Sequence, residues 1–152
     1  MTLSGYVGKT NGVPLGDSRS LSRMLARSLG AGSIMEFWHY WNPIWGFYLS
    51  TYVFAPLKKR TRPASAFLLT FAVSGAVHDV AVTLISREVH LLFSLYFTVL
   101  GAEALIAKKI ALRYHGLALV VRIAINLAYL TSNYLVVRYL YRVILSLVFD
   151  GG

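Results

Sequence analysis

The sequence predicts an all-α membrane protein with about three transmembrane helices and an interfacial or re-entrant aromatic segment. Three observations lead there. Hydrophobic residues make up 57% of the 152-residue chain and charged residues 14%, with a mean hydropathy of +0.59, whereas a water-soluble domain carries about 25% charged residues. The apolar runs are continuous instead of alternating, which favours helices over a barrel as the way to satisfy backbone groups in lipid. The basic residues cluster beside those runs: Arg19, Arg23 and Arg27; then Lys58, Lys59, Arg60 and Arg62; then Lys108, Lys109 and Arg113. Clusters of this kind mark cytoplasmic loops and contacts with anionic lipid. They account for the net charge of +9 with the lipid bilayer as partner and no nucleic acid.

The length suits one domain. Residues 1–18 are rich in Gly, Ser and Thr without periodicity and read as a flexible or surface segment. The first twenty residues lack an apolar core, so insertion is expected to rely on internal helices. Ser18 can cap a basic helix over 19–29, with Leu21, Leu25 and Leu29 on one face and the arginines on another. Such a helix suits the headgroup region, or a solvated position packed on the rest of the protein. Gly30 and Gly32 end it.

Residues 33–57, SIMEFWHYWNPIWGFYLSTYVFAPL, are long enough to cross a bilayer, but Glu36, His39, Asn42 and Pro43 interrupt the first half. Trp38, Trp41 and Trp45 read as interface anchors. A crossing here would also put the two flanking basic clusters on opposite sides. An element that enters and leaves on one side keeps both in the cytoplasm. Pro43 predicts a break, with Asn42 pushed out of the α region and its amide free to point into a cavity.

The run 64–86 is the strongest membrane helix. Thr70, Ser74 and His78 are spaced by four and share one face. His78 and Asp79 are ionisable groups inside an apolar span, which are costly and usually functional. Gly75 permits close approach of a neighbour. Asp79 points about 100° away from His78 and is expected to pair with Arg122 or another helix. A second helix over 89–107 returns, with Glu103 near its inner end. A third crossing is expected over 117–137, with a break or amphipathic tail near Ser132–Arg142 and a tail at 138–149. With no cysteine, disulfides, thiolate metal sites and a cysteine nucleophile are excluded. The four histidines are scattered without ligand spacing, and no metal site is expected.

Two motifs remain, FWHYWNP at 37–43 and SGAVHD at 74–79. An aromatic FW-x-x-W-N segment, then a Pro near a basic loop, then a helix with SG-x-x-H resembles the membrane-bound O-acyltransferase superfamily. The flavour is that of its wax synthase and sterol or diacylglycerol acyltransferase branches. The resemblance spans about residues 28–86. It implies transfer of a fatty acyl group from acyl-CoA, as donor substrate with no separate cofactor, to a hydroxyl acceptor. The acceptor would be a long-chain alcohol, a sterol or a diacylglycerol. His78 matches the family's catalytic base and Asn42 the second signature residue. Ser74 and Trp41 would contact substrate, and Lys58, Lys59 and Arg60 could attract the CoA phosphates. The implied location is a multi-pass protein of the endoplasmic reticulum in a eukaryote, or of the inner membrane in a bacterium. Members of that superfamily are normally much longer, so a second copy or a partner would supply the remaining helices. The competing expectation is a truncated, non-catalytic relative serving as a partner-binding or lipid-binding subunit.

Overall fold

A computed structural model describes residues 1–149 of the chain. Its regular elements are helical, and no strand occurs among the described residues. The elements run α1 (Leu3–Asn11), α2 (Ser20–Leu29), α3 (Ile34–Tyr40), α4 (Pro43–Tyr48), a π-helical turn (Leu49–Phe54), α5 (Ala55–Lys58), α6 (Pro63–Ser86), α7 (Leu92–Lys109) and α8 (Leu119–Phe149). Two spans, Pro63–Ser86 and Leu119–Leu147, are long and apolar enough to cross a membrane. The 24 residues of α6 reach about 36 Å at 1.5 Å per residue.

The stretch expected as a flexible or surface segment, residues 1–18, opens with α1. The Thr2 hydroxyl accepts from the Gly5 N–H at its start, and Gly12 closes it at φ 76°, where glycine carries no Cβ penalty. Ser18 does not cap α2. The helix start has no side-chain cap; just before it the Asp17 carboxylate accepts from the Arg19 N–H at 2.8 Å and from its guanidinium. Those hydrogen bonds hold the Asp17 carboxyl down at about 2.

The aromatic stretch breaks where Pro43 predicts. Ser33 caps α3, whose last turn ends at Trp41. Asn42 then takes φ 41°, ψ 71°, and its side-chain oxygen accepts from the Trp45 N–H at 3.2 Å, capping α4. Left-handed backbone is tolerated best by Gly and Asn, and Pro43 begins α4 where its missing N–H costs nothing.

Helices α6 and α7 form an antiparallel hairpin around small residues. A Cβ on Gly75 would meet the Phe93 carbonyl oxygen and lie 2.7 Å from Ser94 Cα; one on Gly101 would lie 2.9 Å from the Phe71 side chain. Asp79 fastens the hairpin. It is 3% exposed, and its two carboxylate oxygens accept from the backbone N–H groups of Phe93 (2.8 Å) and Ser94 (2.6 Å). The first turn of α7 thus receives its cap from another helix, with the negative charge at the positive end of the helix dipole. Of the two partners foreseen for Asp79, the neighbouring helix is the one found. Arg122 is not its partner, and the Arg122 Nε is buried without a hydrogen bond.

Helix α8 is unbroken through Ser132–Arg142, where a break or tail was expected. Ser132 and Asn133 find partners without breaking the helix. The Ser132 hydroxyl donates to the Ala128 carbonyl, and the Asn133 amide donates to the Tyr129 carbonyl and to Glu103. One end of the molecule is tied by Asn126, which is fully buried. Its amide N–H groups reach the Leu29 and Ala31 carbonyls and its oxygen accepts from the Tyr114 hydroxyl. Burial pushes that hydroxyl up to about 12. Beside it, His115 and Glu36 pair at 3.0 Å.

Candidate active site

The break at Asn42 turns α3 and α4 so that both face α6. Between them lies a cavity of about 420 Å³, within the usual range for a small-molecule site. Asn42, Ser74, His78 and Trp41, all singled out in the sequence, line it together with Thr70. Aromatic side chains make most of the remaining wall, among them Trp38, Trp45, Phe54, Phe71 and Phe97. The three tryptophans expected at the interface therefore face the cavity.

A chain of contacts joins the two signature residues. Asn42 fixes the start of α4 through the Trp45 N–H. The Trp45 indole N–H then donates to the Ser74 hydroxyl at 2.9 Å. One turn further along α6, His78 Nδ1 lies 2.7 Å from the Ser74 carbonyl oxygen. A carbonyl can only accept, so Nδ1 is the donor and Nε2 is left outside this hydrogen bond. The imidazole is held by Phe97, stacked with ring centres 5.0 Å apart, and by Trp45 edge-on at 6.5 Å. The result is an imidazole of fixed orientation, with Nε2 free of any hydrogen-bond partner among the described residues.

The predicted cations stand apart from this arrangement. Lys58, Lys59 and Arg60 are exposed in the turn before α6 and do not line the cavity. Lys58 approaches it only through Phe54, its Nζ 6.0 Å from the ring centre. Lys108, read from the sequence as a topology marker, is the cation on the cavity wall. Its position depends on how the end of α7 packs beside α3, which no local pattern encodes. His39 and Tyr6 also line the cavity. Among the described residues no group of histidine and carboxylate side chains could hold a metal ion.

Comparison with family models, curated proteins and solved structures finds no match. The functional reading rests on this cavity.

Proposed function

We propose that the chain is a membrane O-acyltransferase in which His78 acts as general base toward a hydroxyl acceptor, with acyl-CoA as donor. The observation that carries the reading is the His78–Ser74 hydrogen bond inside a cavity shared with Asn42. It leaves Nε2 as the proton acceptor at the cavity wall. The acceptor hydroxyl gives its proton to Nε2 while its oxygen attacks the thioester carbonyl carbon. The carbon–sulfur bond breaks, and the departing thiolate recovers the proton from the imidazolium. Asn42 suits the developing oxyanion. Its oxygen is committed to Trp45, and its amide nitrogen has no hydrogen-bond partner among the described residues. A donor aimed at the developing charge contributes on the order of 10²–10³ in rate. The apolar wall limits competing water.

In this reading α6, α7 and α8 cross the bilayer, α6 outward, α7 inward and α8 outward. The basic clusters at 58–62 and 108–113 then lie on the cytoplasmic side. The 18 residues of α7 reach about 27 Å, close to one hydrocarbon thickness, with Lys108 and Lys109 at its cytoplasmic end.

The test uses the protein in nanodiscs with labelled acyl-CoA and a panel of alcohols, sterols and diacylglycerols. Ester formation is expected, and His78→Ala is expected to abolish it. Asn42→Asp keeps the helix cap but loses the amide donor, so it should retain the fold and lower kcat by about 10²-fold or more. A folded wild-type chain without turnover on any acceptor sinks the reading.

A further inference from the structure

The cavity is asymmetric in charge. At one end His78 lies among aromatic rings. At the other, Lys108 in the last turn of α7 contributes an ammonium. Among the described residues no Asp or Glu lines the cavity, and the ion pairs are Arg19–Asp17 and His115–Glu36. Lys108 therefore presents its charge to the cavity without a protein anion to neutralise it. Lys108 is exposed, like Lys109 and the Lys58–Arg62 run, but of these it is the one that lines the wall. An anion seated on Lys108 would gain a charge-assisted hydrogen bond at the edge of the apolar wall.

Distance then constrains the ligand. Because α7 runs antiparallel to α6, its last turn lies near the start of α6. His78 is about 15 residues beyond Pro63, roughly 22 Å along the helix axis. A compact anion at Lys108 cannot also reach His78; an extended chain can. We propose that Lys108 is the anion anchor of this cavity. It seats the phosphate or carboxylate group of a long single-chain amphiphile whose chain extends along the aromatic wall toward His78. The proposal rests on the reading that this cavity binds substrate, and it makes Lys108 a specificity-determining residue.

All three tryptophans of the chain line the cavity, so their fluorescence reports occupancy without any turnover. The full chain in zwitterionic nanodiscs is titrated with palmitate, hexadecyl phosphate, palmitoyl-CoA and uncharged hexadecanol, each read against empty nanodiscs. At least one anionic ligand should bind about tenfold or more tightly than hexadecanol. Whether palmitate or only the phosphate-bearing ligands gain tells which anion the anchor takes. Lys108→Gln should erase the preference, Lys108→Arg should keep it, and Lys109→Gln should leave it unchanged. Equal affinity for all four ligands, or a preference that survives Lys108→Gln, overturns the proposal. His78→Ala should bind with the wild-type preference. A chain that lacks acyl transfer yet shows the Lys108-dependent preference keeps the anchor and loses the enzyme. A chain that transfers acyl groups with the same KM for palmitoyl-CoA in Lys108→Gln keeps the enzyme and loses the anchor.

Discussion

Asp79 carries more of the architecture than its position beside His78 suggests. Two N–H groups of α7 depend on its carboxylate, and leaving such groups unpaired costs about 1–3 kcal/mol each. Asp79→Ala should lower stability by about 2–4 kcal/mol, seen as a reduced melting temperature in detergent. Asp79→Asn keeps an acceptor and should fall between. An unchanged melt in Asp79→Ala would remove the capping role. The pair His78–Asp79 thus divides by direction: one side chain faces the cavity and the other closes the hairpin. That division was legible in the sequence, because adjacent helical residues diverge by about 100°. The stripe of Thr70, Ser74 and His78 was legible for the same reason. What could not be read was the partner of each group. Asp79 finds backbone N–H groups, which every residue but proline carries, and the indole of Trp45 finds a hydroxyl 29 positions away.

At the scale of elements, the α6–α7 hairpin depends on glycine where backbone meets backbone. Gly75→Ala puts a methyl group against the Phe93 carbonyl and Ser94 Cα, neither of which can swing aside. A loss of about 1–3 kcal/mol is expected. Gly8→Ala is the control, since nothing lies within 4 Å of a Cβ there, and it should leave the melt unchanged or raised. Equal melts for the two variants would show that the hairpin has slack. The long helices were legible because Pro63 and Arg87 bound a continuous apolar run, and α6 spans Pro63–Ser86 against the expected 64–86. The break at Asn42 was legible from Pro43. Helix α1 was not, since a capping Thr2 and a terminal Gly12 are weak signals in a stretch of small polar residues. The continuity of α8 was also hidden. A helix from 117 to 149 is longer than one bilayer crossing needs, so a break or tail was expected, yet the Ser132 and Asn133 side chains bond to carbonyls of their own helix and leave it continuous.

For the whole molecule, the arrangement of charge makes a topological prediction. The chain has no cysteine, so single cysteines can be placed as labels. Lys59→Cys and Lys109→Cys should react with an impermeant maleimide from the same side of sealed vesicles, and Glu88→Cys from the other. Labelling of Lys59→Cys and Glu88→Cys from one side would remove the crossing of α6. Another consequence concerns time. The Asp79 clasp joins residues 14 and 15 positions apart, so the hairpin can close almost as soon as it is made. The Asn126 bonds to Leu29 and Ala31 span 97 and 95 positions, and the Trp38–Tyr129 contact spans 91. At a synthesis rate of about 5–20 residues per second, the N-terminal third waits roughly 5–20 s for those partners to exist. During that interval the Leu29 and Ala31 carbonyls and the Trp38 indole lack their partners. Every residue that lines the cavity precedes α8, so the site is synthesised before the ties that hold its aromatic segment, and a ribosome that stalls before α8 leaves a chain with the whole wall and none of those ties.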